Sequence, residues 1–223
     1  VGHIGADVLL TDDILAGLQI QYDSVTWRRG TAKVEGRGYM VGLYSTARMQ
    51  DNLYANISAS WGQSNNTVEL VANGGGTNYN SNRLLVSAST TGDYKLNEEV
   101  SFAPTASFSY IREFVPALPT VNLAGPQASS VSTGELSFSP RIYGTYKLEN
   151  DETAEPFIEI AGIYAFGSGA EESSVSGLRG KVTGGISLTS ISGLGFSSSV
   201  VLDGLGQPQN RRIGANVSFD IQF

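Results

Sequence analysis

The chain has no cysteine and a single histidine, His3. Lack of cysteine rules out disulfide frameworks, thiolate zinc sites and cysteine nucleophiles together. One histidine cannot supply a pair of imidazole ligands, and it is a weak foundation for a Ser-His-Asp triad. Charge is scarce as well: 16% of the 223 residues are charged, against roughly 25% in an average soluble domain. With 14 basic and 21 acidic residues the net charge is −7, and no basic face of the kind nucleic acid requires is present. No run of about 18 apolar residues occurs, so there is no transmembrane helix. Val1-Gly2-His3-Ile4-Gly5 also lacks the basic and apolar regions of a signal peptide. The length suits one domain with a sizeable core, or at most two small ones. Low charge with 40% hydrophobic residues excludes a disordered acidic tail and a helical membrane protein, but not a membrane protein of another kind.

What is abundant is glycine (27), tyrosine (10) and alternation of period two, the signature of strands with one apolar face. Tyr39, Val41, Leu43, Ala47 and Met49 share one face, against Gly38, Gly42, Thr46 and Arg48. Leu53, Ala55, Ile57, Ala59 and Trp61 oppose Tyr54, Asn56, Ser58 and Ser60, and Ile213 to Phe223 alternates in the same way. Eleven such segments are expected, beginning at Val1, Ile14, Gly38, Leu53, Asn82, Val100, Glu135, Glu155, Leu178, Leu194 and Arg211. Most exceed ten residues, longer than the 5–6 of typical strands and long enough to cross a bilayer at a tilt. Their polar face is mostly Gly, Ser, Thr and Asn, which suits an enclosed wet lumen better than a solvated surface.

The connections alternate between short and long. Tight turns are expected near Asp12-Asp13, Asp51-Asn52, Glu98-Glu99, Asp151-Glu152 and Ser192-Gly193; the long connections are Gly30–Gly36, Ser64–Ser81, Val115–Gly134, Ser168–Gly177 and Gly206–Asn210. Short turns on one side and long loops on the other is the plan of an outer-membrane barrel, with the short turns periplasmic. The fold class expected is therefore all-β, a transmembrane antiparallel up-and-down β-barrel. Bacterial barrels have an even number of strands, so eleven imply a twelfth, preceding Val1, and one outer-membrane barrel domain over 1–223 that lacks its first strand.

Gly5-Ala6-Asp7, Leu9-Leu10-Thr11-Asp12-Asp13 and Leu15-Ala16-Gly17-Leu18, followed by Gly38-Tyr39-Met40-Val41-Gly42-Leu43-Tyr44 and Asp51-Asn52-Leu53-Tyr54, resemble the β-barrel translocator domain of autotransporters, the type V secretion proteins of Gram-negative bacteria. The resemblance implies a twelve-stranded monomeric barrel that translocates and anchors an N-terminal passenger. It also implies a helix linking passenger to barrel, an outer-membrane lipid environment, and no enzyme activity or cofactor. Arg212, Gly214, Val217 and Phe219, extended by Ile221 and Phe223, match the C-terminal pattern read by periplasmic chaperones and the barrel-assembly machinery. Strand addition would give that recognition backbone bonds and alternate side-chain pockets. A closing strand needs an apolar lipid face in any case.

Other motifs carry less. The acidic pairs fall in turns, where carboxylates fit the backbone and stay in water. Gly177-Leu178-Arg179-Gly180-Lys181 has the wrong spacing for a phosphate loop, and Val182 replaces its hydroxyl residue. Arg48, Arg141, Glu159, Lys181 and Arg212 belong on the lumenal face, because a lipid-facing Arg or Lys costs roughly 2–4 kcal/mol at the midplane. They either pair to stiffen the wall or line the passenger's route and contact the linking helix. Tyr22, Tyr39, Tyr44, Trp61, Tyr110, Tyr164 and Phe166 are candidates for interfacial belts. A stand-alone porin, and more distantly a secreted β-sandwich or a membrane-embedded hydrolase, are the alternative functions.

Overall fold

The computed structural model describes residues 2–29, 32–70, 75–116, 129–148, 152–169, 176–190 and 194–221. The strands are β1 (Gly2–Thr11), β2 (Ile14–Arg29), β3 (Ala32–Gln50), β4 (Leu53–Leu70), β5 (Gly75–Gly92), β6 (Tyr94–Lys95) and β7 (Val100–Val115). They continue with β8 (Ser129–Gly144), β9 (Tyr146–Lys147), β10 (Thr153–Ser168), β11 (Gly177–Thr189), β12 (Leu194–Leu205) and β13 (Arg212–Ile221). All lie in one antiparallel sheet in sequence order; two-residue β6 and β9 continue β5 and β8 in register, past Asp93 and Thr145. The eleven long strands correspond to the eleven segments expected from alternation. Because neighbours are antiparallel throughout, the two outermost strands, β1 and β13, run in the same direction.

Alternation becomes architecture through burial. On β3 and β4, Val41, Leu43, Ile57 and Trp61 are exposed, whereas Met40, Ser60 and Ser64 on the opposite parity are buried. On β10, Ile158, Ile160 and Tyr164 are exposed while Ala161, Ile163 and Ala165 are buried. An outer wall of exposed Leu, Ile, Val and aromatics, over a concave face of small and polar groups, reverses the order of a soluble fold. It is the order a bilayer demands.

The short turns are closed by local bonds. Asn97 accepts from the backbone N–H of Glu99 and of Val100 through its Oδ1, at 2.9 and 2.7 Å, the geometry that makes Asn a turn residue. Leu148 donates to Glu152 at 2.7 Å and Ser190 to Leu194 at 2.9 Å.

At the other end, two expected loops are instead hairpin extensions. Strand β3 begins at Ala32, and β4 and β5 remain paired up to Leu70↔Gly75, so most of Gly30–Gly36 and Ser64–Ser81 is strand. These rows pair polar groups, as in Thr67–Asn78 at 2.8 Å. Apolar residues such as Val34 and Val68 are scattered among polar ones, so the continuous apolar alternation that marks a strand is missing although the ladder continues. A 3₁₀ turn at Pro208–Asn210 lies within the Gly206–Asn210 connection. The central residues of the Ile191–Gly193 turn, Asp151, most of the Val115–Gly134 and Ser168–Gly177 connections, and Val1 and Phe223 lie outside the described residues.

Candidate functional site: the concave face of the barrel wall

Small residues dominate the concave face, and they let long side chains lie flat across neighbouring strands. The Tyr44 ring on β3 crosses Gly17 on β2, and its hydroxyl donates to Asp7 on β1 at 2.6 Å. A Cβ on Gly17 would sit 2.5 Å from that ring. Gln19 on β2 likewise passes over Gly42 on β3 to donate to Ser60 on β4 at 3.0 Å. Tyr44 is therefore a concave-face residue and not part of an interfacial belt; glycine opposite it, together with an acid one strand further, draws the ring inward.

Toward the long-loop end the face carries a network over β2 to β7. Arg83 donates to Asp23 at 3.0 Å and lies 3.5 Å from Glu113. Ser81 donates to Glu113, and Asn66 donates to Ser81 at 3.1 Å. Gly38 lies beneath the ion pair, where a Cβ would approach Asp23 Oδ1 at 2.8 Å and Arg83 at 3.1 Å. A second network spans β8 to β12: Arg179 holds Glu135 at 2.7 Å, reaching over β10, and Asp203 at 3.3 Å.

Nearer the short turns, Arg141 and Glu159 face each other across β8 and β10. The Arg141 guanidinium lies 3.8 Å over the Phe157 ring and 5.7 Å from the Tyr143 ring, a close cation–π contact with the first and a longer one with the second. Glu159 pairs with Lys181 at 3.5 Å. Hydroxyl pairs fill the wall between charged groups: Ser58–Ser87 at 2.7 Å, Ser107–Ser137 at 2.7 Å and Ser197–Ser218 at 2.8 Å. Among the described residues, no group of three or more His, Asp or Glu side chains could hold a metal ion.

The autotransporter beta-domain family matches residues 1–193, most of the chain. The chain belongs to the autotransporter β-domain family. Solved structures give the same architecture. The β-domain of the Bordetella autotransporter BrkA is 15% identical with a TM-score of 0.65, over 97% of this chain and 86% of that one. The transport unit of AIDA-I from Escherichia coli is 16% identical with a TM-score of 0.63, over 99% and 81%. The translocator domain of NalP from Neisseria meningitidis is 13% identical with a TM-score of 0.61, over 99% and 79%. No curated protein matches the chain significantly.

As an autotransporter β-domain, the chain is an outer-membrane β-barrel for passenger secretion, and the porin alternative is not favoured. Of the residues singled out in the sequence, Arg141, Glu159 and Lys181 come together in this β-domain, whereas Arg48 stands apart at a short turn, with Asp13 at 2.6 Å. Arg212 lies on the concave parity opposite Asp203, and Gly214 opposite Val201. Val217 and Phe219 are exposed on the outer parity, where Phe219 packs against Phe196 at 5.2 Å between ring centroids. Ile221 ends β13. Tyr22, Tyr39, Trp61 and Tyr164 are exposed on the outer wall, and Tyr164 stacks with Phe166 at 6.2 Å.

Sequence reasoning missed Asp23, Arg83, Glu113, Glu135, Arg179 and Asp203. Arg179 shares its parity with Lys181 two residues on, which is signal enough. Arg83 precedes Leu84-Leu85, whose consecutive apolar side chains obscure the parity there.

Proposed function

We propose that this β-domain translocates an N-terminal passenger and anchors it at the bacterial cell surface. The observation that carries the reading is the combination of family membership with a wall that is apolar outside and hydroxyl-lined inside. No covalent chemistry is assigned to it. The short-turn end is periplasmic, as is the C-terminus, and the longer hairpins project from the cell. A twelfth strand, antiparallel to both β1 and β13, closes the barrel, because outermost strands that run in the same direction cannot complete an antiparallel meander by themselves.

The concave-face set of Arg48, Arg141, Glu159 and Lys181 lines the route of the passenger and contacts the linking helix. Arg212, Gly214, Val217, Phe219, Ile221 and Phe223 form the signal for periplasmic chaperones and the barrel-assembly machinery. Fusing an epitope-tagged passenger upstream of the full-length barrel tests the function: external protease should remove the tag from intact cells. A tag that remains protected, while the barrel shows heat-modifiable mobility, would rule out passenger delivery.

A further inference from the structure

On the concave face Arg48, Arg83, Arg179 and Lys181 pair with carboxylates, while Arg141 lies over Phe157. On the outer wall Lys33 bonds to Glu35 at 2.7 Å and to Glu69 at 3.8 Å. Its neighbours Arg28 and Arg37 make no ion pair among the described residues. Register fixes their direction. Arg28↔Lys33, Thr26↔Glu35, Ser24↔Arg37 and Tyr22↔Tyr39 are successive outward rows of β2 and β3, and Tyr22 and Tyr39 are 54% and 46% exposed. Arg37 thus stands one outward row above the paired tyrosines, and Arg28 three rows above them.

Their height agrees. Measured from the shared row Ile14↔Ala47, Arg37 stands 10 residues up and Arg28 stands 14. At about 2.5 Å of rise per residue for a strand tilted near 40°, that is roughly 25 and 35 Å, at the edge of an apolar band about 25 Å tall and just beyond it. On β7, Arg112 stands 12 residues from Val100 on the same outward parity. It donates to the Ser130 hydroxyl at 3.1 Å and lies 4.5 Å over the outward Phe114 ring, again without a carboxylate.

We infer that Arg28 and Arg37, joined by Arg112 further round the wall, bind the phosphate groups of an anionic outer-leaflet lipid. Guanidinium is suited to this, since its planar fork matches phosphate bidentately. The apolar wall below takes the acyl chains, which makes the site one for lipid and not for a free anion. The inference rests on the outer-membrane placement.

The test uses the full chain folded in detergent and in phosphatidylcholine vesicles, with native mass spectrometry reading bound lipid. The probes are diphosphoryl lipid A and its dephosphorylated form. Wild type should retain the diphosphoryl lipid preferentially, and R28Q/R37Q should lose about fivefold for each arginine removed, roughly 25-fold together. Adding R112Q should deepen the loss, while heat-modifiable mobility shows each variant folded. Equal retention of both lipids by wild type, or an undiminished preference in the folded double variant, overturns the proposal. Displacement of the lipid by inorganic pyrophosphate overturns it in favour of a free-anion site. A wild-type chain that inserts into no vesicle would instead bring down the membrane placement itself.

Discussion

Arg83 and Asp23 are three strands apart in the sheet, on β5 and β2, yet their side chains meet at 3.0 Å. In a flat sheet those strands would stand roughly 14 Å apart at about 4.8 Å per spacing. The contact therefore requires a strongly curled wall, and in turn it ties that curl together. Gly38 on the intervening β3 leaves the room beneath the pair.

Asp23→Asn should therefore weaken the barrel. Arg83 is mostly buried and would keep only Glu113, which is 3.5 Å away. A loss of about 1–3 kcal/mol is expected, less than for a dry interior because the lumen is wet. Urea titration of the folded gel band measures it, and an unchanged midpoint would mean that the curvature is held elsewhere.

Gly17→Ala and Tyr44→Phe should separate two roles of one contact. The alanine Cβ would stand 2.5 Å from the Tyr44 ring and lift it from Asp7. The phenylalanine keeps the ring and loses only the bond to Asp7. We expect the alanine variant to be the more destabilised in a urea titration, by about 1–3 kcal/mol, because the phenylalanine variant loses only an exposed hydrogen bond.

Substituting Arg141, Glu159 and Lys181 together with Gln tests whether they line a route. Single-channel conductance should change in size and cation preference, because the substitutions alter the fixed charge of the wall. Unaltered conductance would leave these residues a stiffening role alone.

Gly214→Ala isolates recognition from packing. Among the described residues nothing lies within 4 Å of a Cβ at that position, so the β12–β13 ladder is undisturbed, and a fall in membrane insertion of a variant that keeps heat-modifiable mobility reports the assembly signal. Normal insertion of Gly214→Ala, and of a chain lacking Phe223, would argue that the terminal strand is only a closing strand.

Acid should loosen the far end of the β2–β3 hairpin. Beyond the apolar band, the hydrogen bond from Lys33 holds the Glu35 carboxyl below its ordinary value of 4.5. A depressed carboxylate contributes stability that is present above its unfolded pKa and lost as pH falls through the lower, folded one. Amide exchange around Glu35 should accelerate below about pH 4.5, and Glu35→Gln should abolish the change.

The barrel's strands were legible because lipid imposes one rule on the outer wall, so Leu53 to Trp61 and Ile213 to Phe219 reveal their faces by alternation alone. The rule ends where the membrane does. Ser64 to Leu70 and Gly75 to Ser81 pair through polar side chains and read as loop. The lumenal charges were half legible. Parity places Arg141, Glu159 and Lys181 on one face, but Arg83 meeting Asp23 depends on curvature, and curvature leaves no mark in a single strand. Tyr44 shows the same limit: its inward direction follows from Gly17 and Asp7 on two other strands.

The serine pairs along the concave wall bear on what such a surface asks of a polypeptide. Ser58 with Ser87, and Ser107 with Ser137, already satisfy one another, and each hydroxyl can exchange its partner for water or a passing amide at little net cost. Lubrication in this sense needs no sequence in the cargo: a wall that is polar and indifferent lets a chain advance without recognising it.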